Sequence, residues 1–438
     1  MDKKPTRSEA RRIGRRALLK GLVGGLIGFS FVRAQTRPPV VRVGTLFDYT
    51  GALAEFGPPF RRSADLCARQ INEAAQAVFG GPILELIHED SGTTASVGID
   101  RARKLVEVDR VPAIIGSLAS GVTVPVAESV TVPARVLQIS PASTSPLISA
   151  LPDNDYLFRT TASDALQGVV AAQLTRGELV PGYRFNTVST IYVNNPYGQG
   201  LSEVFARAFE RRGGKVLAQV PHPEEPKPTY RAELERALAG RPEVLLCISY
   251  PGQATVYLKE AIEIFRYTSF QFVDGTKSED IIKAIGPQVL EGKLGTAPGS
   301  DPEWGGFRRF AEAYQAAHGE RPPLPFMDAT YDAVAVVGLA IVHAISLGIT
   351  DRARITGTVL RDRLRLVAGP PGQVVGVGEF RRAFELLKNR QVINYSGAAG
   401  EVDFDQNGDV VTPVEIWRYA GGTMHTVSIR RAGEIPRA

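Results

Sequence analysis

Small hydroxyl and aromatic residues stand where predicted strands end, in both halves of the chain. In the first half, the segments 117–121 (SLASG) and 140–146 (SPASTSP) each follow an apolar strand, and in the second half Tyr197, Tyr250 and the segment 274–276 (DGT) occupy equivalent places. Hydroxyls, a carboxylate and backbone N–H groups at such ends can hold a small polar solute, because the ligand crevice of an open parallel sheet lies outside its strand carboxyl ends. Two such edges predict a binding cleft.

Motifs for covalent, nucleotide or metal chemistry are missing from the sequence. There is no G-x-G-x-x-G after a strand, no G-x-x-x-x-G-K-S/T and no H-E-x-x-H, and the five histidines are scattered. The segment 403–409 (DFDQNGD) imitates the start of a calcium loop, but the twelfth position, which requires Glu, is Val414. We interpret that segment as an Asn-Gly hairpin turn. The sequence therefore predicts no enzyme, no metal site and no cofactor.

The distribution of charge argues against a nucleic-acid partner. The chain carries 51 Lys+Arg and 46 Asp+Glu, but nine of the basic and only two of the acidic residues fall in the first 34 positions. The remaining 42 basic and 44 acidic residues leave the rest of the chain near −2.

The first 34 residues are typical of a secretory signal peptide. A basic start is followed by an apolar run at 21–32, which is shorter than the roughly 20 residues that a membrane span needs. The segment 14–20 (GRRALLK) resembles the twin-arginine export motif. A basic disordered tail is the alternative. We expect a periplasmic or otherwise extracytoplasmic protein that is soluble after cleavage.

From residue 35 onward, strand and helix patterns alternate twice over. Strands are predicted at 40–47, 83–88, 113–116 and 136–140, and again at a segment ending at 193, at 216–220, 244–249 and 270–273, with amphipathic helices between them. Such alternation is typical of parallel sheets with helical crossovers on both faces. The fold class predicted is α/β with two similar lobes.

The apolar stretch 333–349 is predicted to be a buried helix rather than a membrane span.

Several linked segments resemble the periplasmic leucine/isoleucine/valine-binding protein family, the type I solute-binding components of ABC transporters. They occur in the family's order: VGTLFDYTGALAEFG, IIGSLASG, QISPASTSP, FRTTASDALQG, YVNNPYGQGL, the segment around Tyr250 and DFDQNGDVVTPVEIWRY. The resemblance implies two Rossmann-like lobes joined by three crossing strands. Lobe 1 would be 40–159 plus 296–399, and lobe 2 would be 161–294 plus 402–438.

The same resemblance implies a set of ligand-binding residues. The family's aromatic residue beside the first strand corresponds to Phe56, and its carboxylate-binding serine to Ser120. The other positions carried over are Ala142 and Thr144, which would contact carboxylate and ammonium, and the aromatics Tyr197 and Tyr250. The acidic residue that pairs with the ammonium corresponds to Thr276, a departure for which Asp274, or less plausibly Asp164, could substitute.

The resemblance implies a function of binding without chemistry. An amino acid, branched-chain or related, would be held between the lobes and delivered to the transmembrane permease subunits of an ABC importer by a monomeric protein. An amide, urea or an aromatic carboxylate remains an alternative solute, and a sensory ligand-binding module remains an alternative role.

Overall fold

A computed structural model describes residues 37–299 and 301–436. The predicted signal peptide with its twin-arginine motif lies outside these residues. Within them, the alternation of strands and helices is present as the sequence predicts, with strand ends that differ by one or two residues.

The first lobe is built on a five-stranded sheet. Its strands are β1 (Val41–Phe47), β2 (Leu84–Asp90), β3 (Ala113–Gly116), β4 (Leu137–Ser140) and β5 (Leu157–Arg159). They are all parallel, in the order β2-β1-β3-β4-β5. The central strands β3 and β4 are buried throughout, which explains why they read as short apolar runs without alternation.

The second lobe is built on a seven-stranded sheet. Its strands are β6 (Thr187–Val193), β7 (Lys215–His222), β8 (Val244–Ile248), β9 (Phe270–Phe272), β10 (Leu294–Pro298), β13 (Val414–Ala420) and β14 (Thr423–Arg430). The order is β14-β13-β10-β9-β8-β6-β7, with β13 and β14 antiparallel to their neighbours and the rest parallel. A separate parallel pair, β11 (Gln373–Gly376) and β12 (Ile393–Ser396), lies within 369–396.

Helices connect the strands. They are α1 (Gly57–Phe79), α2 (Ala95–Arg103), α3 (Ser120–Val126), α4 (Val132–Ala134), α5 (Asp164–Thr175), α6 (Pro196–Arg211), α7 (Arg231–Leu238), α8 (Pro251–Glu263), α9 (Glu279–Ile285), α10 (Pro287–Leu290), α11 (Gly305–His318), α12 (Met327–Ser346), α13 (Gly357–Ala368) and α14 (Phe380–Lys388). The start of α6 shows why the sequence signals worked: Asn195 accepts from the Gly198 N–H at 3.1 Å, and Pro196 occupies the first helical position.

Helix α12 is a core helix of the first lobe. Among the residues that the structure describes, it is the one helix long and apolar enough to cross a membrane, yet 83% of its most apolar window is buried inside the protein. It packs against α1 and α13 and contacts β3 and β4. It begins at Met327, six residues before the predicted apolar stretch, because the polar first turn with Asp328 and Asp332 is also helical and buried.

The chain passes between the two sheets three times, after β5, after β10 and between β12 and β13.

The hairpin predicted at 403–409, within the third passage, is wrong, because no strands flank its turn. Instead Asp405 accepts from the backbone N–H groups of Asn407 and Asp409, at 2.8 and 3.0 Å. Asp409 in turn forms an ion pair with the fully buried guanidinium of Arg159, Nε to Oδ1 2.7 Å. The turn is therefore anchored to the end of β5. The lobe boundaries drawn from the sequence stay a prediction.

Candidate functional site

A small cavity lies between the two lobes, at the carboxyl ends of their strands, and its empty space is about 340 Å³ when its open mouth is included. Its lining consists of Leu53, Phe56, Phe60, Leu118, Ser120, Ala142, Tyr197, Tyr250, Asp274, Gly275 and Phe326. Six of the eight residues named from the sequence are in this lining.

The first lobe presents Ser120 and Ala142 on two loops that are bonded to each other. Ser120 is the first residue of α3, and its Oγ accepts a hydrogen bond from the Ser145 N–H at 3.3 Å. Ser143 Oγ, three residues after β4, contacts Thr123 Oγ1 at 2.8 Å. Because the Ser120 oxygen is already an acceptor, its own O–H remains available to donate to a solute.

The second lobe presents two stacked tyrosines beside a carboxylate. The rings of Tyr197 and Tyr250 lie 5.6 Å apart with an interplanar angle of 10°. Tyr197 Oη donates to Asp274 Oδ1 at 2.9 Å, and Gln167 Nε2 donates to the same oxygen at 2.7 Å. Asn195 Nδ2 donates to Tyr250 Oη at 3.1 Å. These bonds fix the orientation of all three lining side chains.

Burial and hydrogen bonds act in opposite directions on the charge state of Asp274. Desolvation raises its pKa, although the bonds from Gln167 and Tyr197 act in the opposite direction. Burial also raises the pKa of the neighbouring Asp164 well above its ordinary value, and the charge of Asp274 adds to that rise. Neither carboxylate has a Lys or Arg partner within 4 Å in the described part of the chain. A positive group that enters the cavity would find an uncompensated buried carboxylate.

Thr144 and Thr276, the other two residues named from the sequence, lie outside the cavity lining. Thr144 Oγ1 donates to Asp164 Oδ2 at 2.9 Å. Thr276 Oγ1 accepts from the Val273 N–H at 2.9 Å and so closes the short turn 274–276. In this turn Asp274 faces the cavity and Thr276 faces back to the backbone. Of the two candidates for the acidic position, Asp274 and Asp164, Asp274 is in the cavity lining.

Apolar residues of the lining were missed by the sequence reasoning. Leu53, Leu118 and Phe60 are neighbours of named positions, but Phe326 lies just over 50 residues after Asp274. It directly precedes α12 and has φ +66°. Its local sequence carries no signal for a site. Gly275 belongs to the segment 274–276 that the sequence analysis names, and a Cβ there would lie 2.5 Å from the Ser249 carbonyl oxygen, so only glycine fits.

The lobes touch each other around the cavity. Ser145 Oγ donates to the Pro196 carbonyl oxygen at 2.7 Å, and the Gly252 N–H donates to the Ala52 carbonyl oxygen at 3.2 Å. Glu55 of the first lobe accepts from the Glu279 N–H at 2.8 Å. These bonds describe a closed arrangement in which the cavity has walls from both lobes.

Comparison with known proteins agrees with this architecture. A family model described as periplasmic binding protein matches residues 40–415. The chemotactic signal transduction system substrate-binding protein BasB of Halobacterium salinarum is 27% identical over 398 residues, which cover 90% of each chain.

Solved structures show the same fold. The leucine-binding protein LivK of Thermotoga maritima superposes with a TM-score of 0.72 at 21% identity, covering 90% of this chain and 100% of that one. A solute-binding protein of an ABC transporter from R. palustris, in complex with benzoate, superposes with a TM-score of 0.68 at 15% identity, covering 91% and 97%. The predicted fold class is confirmed, the relatives are binding proteins rather than enzymes, and the chain belongs to the periplasmic binding protein family.

Proposed function

We propose that this protein binds an α-amino acid with an apolar side chain in the interlobe cavity and delivers it to the permease of an ABC importer. The choice of solute rests on one observation. The cavity lining contains the Ser120 hydroxyl from the first lobe, which can donate a hydrogen bond, and the buried carboxylate of Asp274 from the second lobe, which has no Lys or Arg partner among the described residues. Those two groups match the two charged ends of an amino acid.

Each part of the solute has a counterpart in the lining. The solute carboxylate accepts from the Ser120 hydroxyl beside Ala142, and its ammonium donates to Asp274, whose orientation Tyr197 holds. Tyr250 covers the solute from the second lobe. The apolar side chain then packs against the residues left over, which are Leu53, Phe56, Phe60, Leu118 and Phe326. Thr144 and Thr276 do not contact the solute: Thr144 bonds to Asp164, and Thr276 bonds to the backbone of the 274–276 turn.

Closure of the lobes is the mechanism by which binding is signalled. A solute that contacts both Ser120 and Asp274 bridges the lobes and so stabilises the closed arrangement over an open one. The closed surface is what the permease recognises. The protein acts as a monomer outside the cytoplasm, exported by its amino-terminal signal peptide along the twin-arginine route.

A sensory role is the second candidate, and the BasB relative favours it, because that protein is named for chemotactic signal transduction. Both roles need the same closed, solute-bound form. They differ in the membrane partner that recognises it, so co-purification with permease or with receptor components separates them.

The experiment is a ligand screen on protein freed of bound solute by unfolding and refolding. Thermal stability is measured with amino acids, their amides, short amides and urea, and aromatic carboxylates, followed by calorimetry on those that stabilise. Stabilisation by a compact group of apolar amino acids, lost in Ser120→Ala, supports the proposal. Stabilisation by benzoate-like acids or amides alone would contradict it, and would mean that Asp274 stays protonated and donates a hydrogen bond.

A further inference from the structure

A second pocket lies between the lobes, on the other side of Phe326 from the first cavity. Its empty space is about 1320 Å³ including a wide mouth. The first lobe contributes α11 and the segment 321–328, and the second contributes the residues after the 274–276 turn and the β13–β14 hairpin. Phe326 lines both pockets and forms part of the wall between them.

A buried carboxylate, Asp328, lines this pocket. Asp328 is only 6% exposed, and its Oδ1 accepts from the Ala329 N–H at 2.9 Å. Within residues 37–299 and 301–436, no hydrogen bond or ion pair reaches its Oδ2. Burial raises the pKa of Asp328 to about 6. A desolvated carboxylate that lines a pocket with a free oxygen is a binding group for a positive charge.

Lys277 is close enough to lower the pKa of Asp328, but in the described part of the chain it forms its ion pair with Glu415 and not with Asp328. Lys277 is held by Glu415 Oε2, and Glu415 Oε1 accepts from Thr426 Oγ1 at 2.6 Å. Beside Asp328, the pocket is therefore lined by a second carboxylate, Glu415, and by one ammonium group, Lys277. Arg321 and Glu279 also line the pocket, are exposed to solvent and carry opposite charges.

The remaining walls fit an organic cation better than a metal ion. The aromatic residues Phe307, Phe310 and Phe326 line the pocket, together with Met327, Met424 and several prolines. Aromatic rings and a carboxylate together attract ammonium and guanidinium groups that carry an apolar body. In the part of the chain that the structure describes, no group of three His, Cys, Asp or Glu could hold a metal ion.

We propose that this pocket binds a small organic cation, an alkylammonium or alkylguanidinium, through an ion pair with Asp328. The site is distinct from the solute cavity. Since its walls come from both lobes, the cation favours the closed arrangement, and it therefore raises the affinity for the solute, as the solute raises the affinity for the cation.

The test uses butylammonium chloride as the probe on the full mature protein, with KCl at equal ionic strength as the reference. We expect saturable binding by calorimetry and a rise in melting temperature with butylammonium but not with KCl. Asp328→Asn, which keeps the acceptor for the Ala329 N–H, should weaken binding by about tenfold or more. Glu312→Gln, an exposed carboxylate on α11, is the matched control and should bind as the wild type does.

A pH series on the wild type provides a readout that does not depend on any variant folding. As the pH falls from 7.5 to 5, protonation of Asp328 should weaken butylammonium binding by about tenfold. The titratable groups that face Asp328 are Lys277 and Glu415 from the second lobe, and Asp332 one turn along α12. Affinity that is independent of pH over this range would overturn the assignment to Asp328.

Two further outcomes would overturn the proposal without touching the proposed function. Butylammonium binding that survives in Asp328→Asn but disappears in Asp274→Asn would place the cation in the solute cavity. An equal rise in melting temperature with KCl would show that the stabilisation is a general salt effect. A solute found in the ligand screen should bind more tightly when butylammonium is present, and an unchanged affinity would overturn the coupling.

Discussion

Replacing Asp274 by Asn should strengthen the fold and weaken solute binding at the same time. The exchange keeps the shape of the side chain and an oxygen that can accept from both Gln167 Nε2 and Tyr197 Oη. It removes only the negative charge. The charge is unfavourable in the empty cavity, since burial raises the pKa of Asp274, and favourable once an ammonium is bound.

The sign of the stability change follows from that raised pKa. Above the pKa of an unfolded Asp, the native protein must keep a carboxylate ionised where ionisation is disfavoured, at about 1.4 kcal/mol for each pH unit by which the pKa is raised. We therefore expect Asp274→Asn to raise the free energy of unfolding by about 1–3 kcal/mol at pH 8. The gain should shrink as the pH falls toward 4, where the wild-type group is protonated too. The neighbouring Asp164 also ionises more easily without that charge.

The change in affinity has the opposite sign. A charge-assisted hydrogen bond contributes about 1.5–3 kcal/mol, so the dissociation constant for an amino acid should rise by about 10- to 150-fold. The affinity of the wild-type protein for the amino acid should also decrease as the pH is lowered and Asp274 becomes protonated.

The assays are denaturant unfolding of solute-free protein at several pH values and calorimetry with the solute from the screen. Asp280→Asn makes the same chemical exchange at an exposed position of α9 and should change neither quantity by much. A variant of Asp274 that is less stable but binds normally would refute the reasoning, because the carboxylate would then be a structural group.

Three further predictions separate binding residues from supporting ones. Ser120→Ala should raise the solute dissociation constant by about 5- to 15-fold in calorimetry, because the solute carboxylate loses a donor; an unchanged value would remove Ser120 from the site. Thr276→Val should lower the free energy of unfolding by about 1–2 kcal/mol, since the Val273 N–H loses its acceptor, while solute affinity stays within about twofold; a larger loss of affinity would restore Thr276 as a ligand. Asp409→Asn leaves the buried guanidinium of Arg159 without its charge partner and should lower the free energy of unfolding by about 3–5 kcal/mol; a loss under 1 kcal/mol would contradict the role given to this pair.

The fold could be predicted from the sequence because its signals are local. Buried parallel strands appear as short apolar runs, helices as stripes with a period of three to four residues, and the Asn195-Pro196 start of α6 carries its own cap. Ser120, Ala142, Tyr197 and Tyr250 could be placed near a cleft because they follow strand ends, which meet at one edge of each sheet.

The sequence by itself thus determined the two α/β lobes, the strand-end loops that face each other and the absence of motifs for covalent or metal chemistry. Only the tertiary structure decided that Asp274 rather than Thr276 of the 274–276 turn lines the cavity, since that depends on how one short turn is rotated and not on the residue types within it. It also decided the positions of Phe326 and Asp328, which line pockets together with residues far away in the chain. Side-chain direction and burial, which set the pKa of a carboxylate, are properties of the packed chain and have no local signature.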